Sequence, residues 1–190
     1  MKRRHFLGVA TVSMTGLAGC MGNTEYTVTD VSVADPAGPL ALDLDLVDAA
    51  ATVDSPARLD VTLRNDDDED ISIRNTGVWP LGLLALARSG ERGRGKILLR
   101  SDQYGETDRV EVTANGIQTD NVPIVRPLDA GQSVTNQYEI HGNRFYSSGT
   151  YTLRGYFEEV PLFYRVGNAE EWTEFYPEAT ITVEERSLLP

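Results

Sequence analysis

Alternating apolar and polar residues run through most of the chain after its first 24 residues. The clearest run spans residues 57–64, where Leu59, Val61 and Leu63 alternate with charged or hydroxyl residues. A period of two places the apolar side chains on one face of a half-buried strand. The pattern predicts nine further strands, over residues 25–33 (with an irregularity near Asp30), 40–46, 71–74, 96–100, 109–114, 117–122, 133–140, 149–157 and 179–185.

Turn residues separate these strands. Asn115-Gly116 between two alternating runs predicts a tight hairpin, because both residues tolerate positive φ. Asn75-Thr76-Gly77 predicts another turn. Residues 78–88 are mostly apolar but contain Pro and Gly, so we expect an irregular or edge segment, with a short helix as the alternative. Short helical or irregular structure is expected over 158–178. Many short strands joined by turns predict a β-sandwich or a barrel.

Two stretches resemble the immunoglobulin-like domains of bacterial and archaeal proteins. Residues 57–65, ARLDVTLRN, are similar to an early strand of such domains, and residues 128–133 with 148–153, LDAGQS and SGTYTL, are similar to their late hairpin. The resemblance covers residues 57–155. It implies an all-β fold, an immunoglobulin-like antiparallel β-sandwich. Because this fold carries many functions, the resemblance implies no activity.

The first 19 residues differ from the rest. A basic start precedes about a dozen modestly apolar residues and a small-residue end, which is typical of a cleaved secretory signal. This apolar stretch is shorter than the roughly 20 residues that a membrane-spanning helix needs. Arg3, Arg4, Phe6 and Leu7 resemble the twin-arginine export signal, which a receptor reads.

Leu17-Ala18-Gly19-Cys20 resembles the lipobox of bacterial and archaeal lipoproteins. In that family the cysteine becomes the first residue of the mature chain and carries lipid on its sulfur. The resemblance implies a signal peptide over 1–19, a lipidated tether over 20–24 and a β-sandwich over 25–186. The membrane partner would then be reached through lipid on Cys20, on the outer face of the cell membrane. The alternative is an ordinary cysteine buried in an N-terminal helix.

Acidic residues dominate the charge. The chain has 29 acidic and 17 basic residues and a net charge of −12; without Lys2, Arg3 and Arg4 of the leader, the net charge is −15. Such a surface repels nucleic acid and anionic lipid headgroups, which excludes nucleic acid as a partner. The only lysines are Lys2 and Lys96. Together with the export signal, this composition resembles lipoproteins of halophilic archaea.

Residue types that catalysis and metal binding need are scarce. After residue 19 the chain has one histidine, His141, whereas zinc and copper sites need two or more. We therefore expect no enzyme activity and no cofactor. Asp66, Asp67, Asp68 and Asp70 offer oxygen atoms to calcium but lack the glycine and the later glutamate of a helical calcium loop. A solvated turn is the expectation, and a calcium-stabilised surface module is the alternative.

Aromatic residues are concentrated late in the chain, with eleven of 15 at or after Tyr138. On the 149–157 strand, Tyr151, Leu153 and Phe157 are expected on one face. Tyrosine and tryptophan suit interfaces because they bury area and keep a polar tip. We predict that five aromatic residues form a patch for a partner or ligand, the alternative being a long loop packed over one sheet: Phe163, Tyr164, Trp172, Phe175 and Tyr176.

The sequence therefore predicts a cell-surface lipoprotein that presents a non-catalytic β-sandwich for binding a protein or a small molecule. One alternative is an accessory solute-binding lipoprotein beside a transporter or an enzyme, which would have a pocket rather than a flat aromatic face. Another is an enzyme, which would have a deep cleft with several convergent polar groups.

Overall fold

The computed structural model describes residues 25–52, 54–88, 95–113 and 116–186. In these ranges the chain forms strands and two 3₁₀ helices, Asp102–Glu106 and Gly142–Arg144, and no α-helix. No helix in the described residues is long and apolar enough to cross a membrane. The strands are β1 (Tyr26–Val33), β2 (Leu40–Asp48), β3 (Ala50–Ala51), β4 (Ala57–Asn65), β5 (Ile71–Asn75), β6 (Leu84–Arg88), β7 (Ile97–Leu98), β8 (Val110–Thr113), β9 (Gly116–Thr119), β10 (Ile124–Leu128), β11 (Ser133–Ile140), β12 (Gly149–Gly155), β13 (Leu162–Val166), β14 (Thr173–Phe175) and β15 (Ala179–Glu185).

The strands pair in antiparallel fashion in four sheets. A six-stranded sheet has the order β3-β1-β15-β12-β6-β7, and a four-stranded sheet has the order β10-β5-β13-β14. A three-stranded sheet, β11-β4-β2, and the β8-β9 hairpin complete the structure. The sheets pack as a sandwich, so the predicted all-β, immunoglobulin-like antiparallel β-sandwich is confirmed. The predicted irregularity near Asp30 is a shift in the β1–β15 register between Val28 and Asp30.

The apolar positions of the sequence pattern form the core. On β4, Leu59, Val61 and Leu63 are fully buried, and on β15 Ile181 and Val183 are fully buried as well. Burying one such side chain stabilises the folded state by roughly 1.5–3 kcal/mol relative to leaving it exposed. Packing between the inward faces of the sheets therefore holds the sandwich together, as the period of two indicated.

The segment 78–88 differs in part from the prediction. It begins irregularly, as expected, with a turn around residues 79–81. It then forms β6, which lies between β12 and β7 and not at a sheet edge or in a helix. Leu84, Ala85 and Leu86 are all fully buried. A short continuous apolar run of this kind is typical of a strand covered on both faces, and periodicity alone does not separate it from a buried helix.

The expectation of helical or irregular structure over 158–178 is wrong for residues 162–166 and 173–175, which form strands. Strands β13 and β14 form a hairpin there and extend the four-stranded sheet from β5. On β13, Leu162 and Tyr164 face the core, whereas Phe163 lies on the outer face. Phe163 faces outward but is apolar, like its neighbours Leu162 and Tyr164. These three positions therefore show no alternation of apolar and polar residues.

A buried asparagine joins two turns of the sandwich. Asn65, at the end of β4, is fully buried. Its Nδ2 lies 2.9, 3.0 and 3.1 Å from the carbonyl oxygens of Glu69, Leu128 and Asp129, and its Oδ1 accepts a hydrogen bond from the N–H of Asp67 at 2.9 Å. Buried backbone carbonyls need such partners. One side chain therefore ties the β4–β5 connection to the β10–β11 turn.

We expect Asn65→Ala to lower the free energy of unfolding by about 1–3 kcal/mol, because the buried carbonyl of Leu128 loses its side-chain donor. Urea denaturation measures the change. Asn143→Ala, at an exposed position, is the control and should change stability by less than about 0.5 kcal/mol. Equal effects of the two substitutions would contradict this role for Asn65.

Tyr104 and Tyr138 are two of the four tyrosines that are buried in the core of the described chain. Tyr138 on β11 and Tyr104 on the first 3₁₀ helix are 1% and 3% exposed. Burial raises the pKa of both phenols above their ordinary value of 10.0, because the ionised form is poorly solvated there. The Tyr104 hydroxyl also donates to the carbonyl of Leu99 at 2.9 Å. In the unfolded chain both phenols ionise near their ordinary pKa.

Ionisation of these two phenols should therefore leave the free energy of unfolding unchanged below pH about 10 and lower it as the pH rises above 10. Because the pKa of each phenol is higher in the folded state, the unfolded state loses its protons at lower pH. Each tyrosine then lowers the free energy of unfolding by up to about 1.4 kcal/mol per pH unit. The free energy of unfolding, measured in urea between pH 8 and pH 11.5, gives the slope. Tyr138→Phe should reduce the slope, whereas Tyr146→Phe, at a position 81% exposed, should not.

Candidate functional site

The strand register distinguishes the two ends of the sandwich. Tyr26 pairs with Glu185 at the end where the described chain begins, which we call the near end. Val33 pairs with Ala179 at the opposite, distal end. Because β12 runs antiparallel to β15, its last residue, Gly155, also lies at the distal end. Strand length, at about 3.3 Å per residue, separates the two ends by roughly 20 Å.

A cavity of about 290 Å³ opens at the distal end, and we call it the distal pocket. Its walls come from the end of β5, the turn before β6, the approach to β10 and the β12–β13 connection. Its chemistry comes mainly from Arg74, Asn75, Phe157, Glu158 and Phe163. A second cavity of similar volume lies between the residue 33–42 segment and the outer strand β14.

Asn75 is a buried polar residue of the distal pocket. It is 4% exposed, and its Nδ2 donates to the carbonyl of Val78 at 2.5 Å. This bond sets the orientation of the amide, since the reverse orientation would bring two carbonyl oxygens together. Oδ1 is buried and has no hydrogen-bond partner among the described residues. A buried acceptor without a partner costs about 1–3 kcal/mol. Because Oδ1 is inaccessible to solvent, it is not part of the surface that faces the cavity.

Glycine lets the backbone pack tightly around this pocket. A Cβ on Gly155 would lie 2.5 Å from the carbonyl oxygen of Glu158 and 2.8 Å from that of Val160. A Cβ on Gly82, where φ is +64°, would lie 2.9 Å from the carbonyl oxygen of Thr76. Only glycine fits at both positions. Backbone carbonyls therefore contribute to the pocket wall beside the Asn75 amide.

Arginine and aromatic side chains alternate on the outer face of the four-stranded sheet. Phe163 pairs with Arg74 across the β13–β5 register, and the Arg74 guanidinium lies 4.6 Å from the ring centroids of both Phe163 and Trp172. Arg165 lies 4.8 Å from the Trp172 centroid. Neither arginine forms an ion pair with a described carboxylate. These cation–π contacts hold the guanidinium of Arg74 at the rim of the pocket.

The hairpin separates the five residues of the predicted aromatic patch. Tyr164 and Phe175 pack against the core, whereas Phe163 and Trp172 stack on the arginines of the outer face. Tyr176, 54% exposed, lines the second cavity together with Tyr164 and Phe175. Three of the five thus line the second cavity, and one, Phe163, lines the distal pocket. The alternative, a long loop over one sheet, does not describe this hairpin either.

Of the five residues that supply the main polar and aromatic groups of the distal pocket, sequence reasoning identified Phe163 and missed the other four. Asn75 was assigned to a turn, although it is the last residue of β5. Phe157 was expected on the inward face with Tyr151 and Leu153, but β12 ends at Gly155 and leaves Phe157 53% exposed. The glycine before two aromatic residues was the signal available, because glycine often ends a strand.

The acidic run after β4 makes local hydrogen bonds. The carboxylate of Asp66 is paired with the Arg64 guanidinium, and this hydrogen bond lowers the pKa of Asp66. Asp67 and Asp70 accept hydrogen bonds from backbone N–H groups at 3.2 and 3.0 Å, and Asp68 is exposed. Across the part of the chain that the structure describes, no group of three or more His, Cys, Asp or Glu is arranged to hold a metal ion.

The predicted export and lipidation residues lie outside the described residues. They are Arg3, Arg4, Phe6 and Leu7 of the export signal and Leu17, Ala18, Gly19 and Cys20 of the lipobox.

Fold and cavity together define an antiparallel β-sandwich protein with a pocket at its distal end. A family model described as "Domain of unknown function (DUF8130)" matches residues 1–190, and the chain belongs to this family. No curated protein matches the chain.

We expect Trp172→Ala to lower the free energy of unfolding by about 1–2 kcal/mol, since it removes two cation–π contacts of roughly 0.5–1 kcal/mol each. Chemical denaturation measures the loss. Tyr176→Ala, on the same hairpin but 54% exposed, is the control, with an expected change below about 0.5 kcal/mol. A Trp172→Ala variant as stable as the wild type would mean that the arginine stack contributes nothing to stability.

Proposed function

We propose that this protein is a lipoprotein anchored through Cys20 on the outer face of the cell membrane, and that its β-sandwich binds a ligand without catalysing a reaction. The observation that carries the proposal is the distal pocket, a cavity of about 290 Å³ that is lined by aromatic and polar side chains. A concave cavity that combines apolar and aromatic walls with a few polar groups is typical of a ligand-binding site.

The position of the pocket supports the anchored arrangement. The described chain starts at Glu25, at the near end, only five residues after Cys20. Five extended residues reach at most about 18 Å, so a lipid on Cys20 would keep the near end close to the membrane. The distal pocket would then face away from the membrane, toward molecules arriving from outside the cell.

The chemistry of the distal pocket supports binding over catalysis. Of its described lining residues, Glu158 is the only one with a carboxylate, and none is a histidine or a cysteine. Hydrolytic mechanisms of the common kinds need an acid–base pair or an activated nucleophile. His141 does not line this pocket; it lines a separate cavity together with Tyr156, which lines both cavities.

An accessory solute-binding lipoprotein is the second candidate function. The distal pocket is a concave cavity and not a flat aromatic face, and a solute-binding role needs such a cavity. In this second function, the protein would act together with a transporter or an enzyme in the same membrane. This candidate shares the anchor and the pocket with the first proposal.

The anchor is tested by Cys20→Ser in the native host. We expect the wild-type protein in the membrane fraction, released only by detergent, and digestible by protease added to intact cells. Cys20→Ser should move most of the protein to the medium, because no lipid holds it. Met21→Ser, a change at the next residue, is the matched control and should stay in the membrane. Membrane retention of Cys20→Ser, or a native protein that keeps its first 19 residues in the cytosol, would overturn the proposal.

A further inference from the structure

We infer that the second cavity binds an alkylated ammonium group, a cation whose charge is spread over methyl groups. This inference goes beyond the proposed function, which is carried by the distal pocket, because the two cavities have no described lining residue in common. It is carried by the side chains of the second cavity. Its described lining residues include three aromatic rings and three carboxylates, and no basic side chain.

The connection between β1 and β2 and the connection between β14 and β15 form two walls of this cavity, and residues of β2, β13 and β14 line it as well. A hydrogen bond from the N–H of Ala34 to the carbonyl of Glu178, at 2.9 Å, joins the two connections. A Cβ on Gly38 would lie 3.0 Å from the hydroxyl oxygen of Tyr164, so the absence of a side chain lets the first connection approach β13 closely. The cavity encloses about 290 Å³, which suits a small organic ion.

Carboxylates give the cavity a negative charge. Asp35, Glu174 and Glu178 line it. All three residues are exposed, and none of them forms an ion pair with a described residue. A cation is therefore attracted to the cavity, an anion is repelled, and a neutral ligand gains nothing from the charges.

An arginine lies close to the cavity without lining it. Arg154 donates a hydrogen bond to the carbonyl of Pro177, a lining residue, at 3.4 Å. Its Nε lies 3.9 Å from a carboxylate oxygen of Glu159, which offsets part of its charge. One partly offset cation does not cancel three carboxylates, so the cavity stays negative.

The three carboxylates are not arranged as ligands of a metal ion. Among the described residues, no group of three or more His, Cys, Asp or Glu is placed to hold one. Calcium, for comparison, needs oxygen ligands at about 2.3–2.6 Å on several sides. A larger organic cation can be attracted by carboxylates at separate points around it, because the Coulomb energy falls only with the inverse of distance. The separation of the acidic groups therefore favours an organic cation over a metal ion.

The aromatic rings distinguish an alkylated ammonium group from other cations. Tyr164, Phe175 and Tyr176 line the cavity. Tyr176 is 54% exposed, and its hydroxyl donates to Glu174 Oε2 at 2.5 Å, which holds an aromatic ring beside a carboxylate. Aromatic faces attract cations, and quaternary ammonium ligands are recognised in this way. Methyl groups also bury apolar area against the rings, whereas a primary ammonium is strongly hydrated.

The test is titration calorimetry on the full chain in a non-ionic detergent at fixed ionic strength. The probes are tetramethylammonium and choline. The control ligand is the neutral alcohol of the same shape as choline, in which a tert-butyl group replaces the trimethylammonium group. We expect both cations to bind, and the alcohol to bind at least about tenfold more weakly than choline. A peptide containing trimethyl-lysine distinguishes two sources of the group. A site for a free solute binds choline as well as the peptide, whereas a site for a modified side chain of a partner binds the peptide better.

Variants place the cation in the second cavity. Tyr176→Ala should weaken choline affinity about tenfold, and Glu174→Gln should weaken it severalfold. Both side chains are exposed, so the melting temperature should not change. Tyr146→Ala removes an 81% exposed ring, and Glu170→Gln removes an exposed carboxylate between β13 and β14. Neither residue lines the second cavity, so these two matched controls should leave the affinity unchanged.

Failure of this inference can be told apart from failure of the proposed function. No binding of either cation, or equal affinity for choline and the neutral alcohol, would overturn the inference and leave the distal pocket untouched. Choline binding that Tyr176→Ala and Glu174→Gln do not weaken would overturn it as well. If Phe157→Ala, in the distal pocket, abolishes that binding instead, the cation occupies the distal pocket, which supports the proposed function and contradicts this inference. Cys20→Ser reports on location and not on affinity.

Discussion

The structure depends on one constraint: backbone carbonyls that are buried outside the strand ladders must still receive a hydrogen bond. Three buried asparagines meet it. Asn65 joins two turns, Asn75 holds the turn after β5 through Val78, and Asn136 on β11 donates to the carbonyl of Trp79 at 3.2 Å. An amide side chain suits this task because it donates and accepts without charge. The apolar faces supply the stabilising burial, and the asparagines keep the connections closed over it.

The three asparagines differ in how many atoms of the amide form hydrogen bonds. Asn65 and Asn136 use both ends of their amides, since Asn65 Oδ1 accepts from the N–H of Asp67 and Asn136 Oδ1 accepts from Gln103 at 2.8 Å. Asn75 uses only its Nδ2. Of the three amides, Asn75 is therefore the one with an atom that has no hydrogen-bond partner among the described residues.

The outer face of the four-stranded sheet is unusual for so acidic a protein. Arg74 and Arg165 contact aromatic rings there and form no ion pair with a described carboxylate, although the chain has a net charge of −12. Stacking orients the guanidinium without neutralising it. Arg74, which lines the distal pocket, therefore keeps its positive charge there. The aromatic residues of the β13–β14 hairpin thus act on the site mostly through the positions of the arginines.

The sequence by itself determined the all-β class, most strands and the inward face of each, because a period of two and the turn residues are local signals. It could not separate a doubly covered strand such as β6 from an edge segment or a helix, nor find the hairpin in which Phe163 faces outward. Only the tertiary structure decided the site. Asn75 is far in sequence from Phe157 and Glu158. They line one cavity because the end of β5 in the four-stranded sheet and the end of β12 in the six-stranded sheet lie close together in the packed structure. Whether a buried amide atom has a partner depends on neighbours that folding brings together, and no local pattern encodes it.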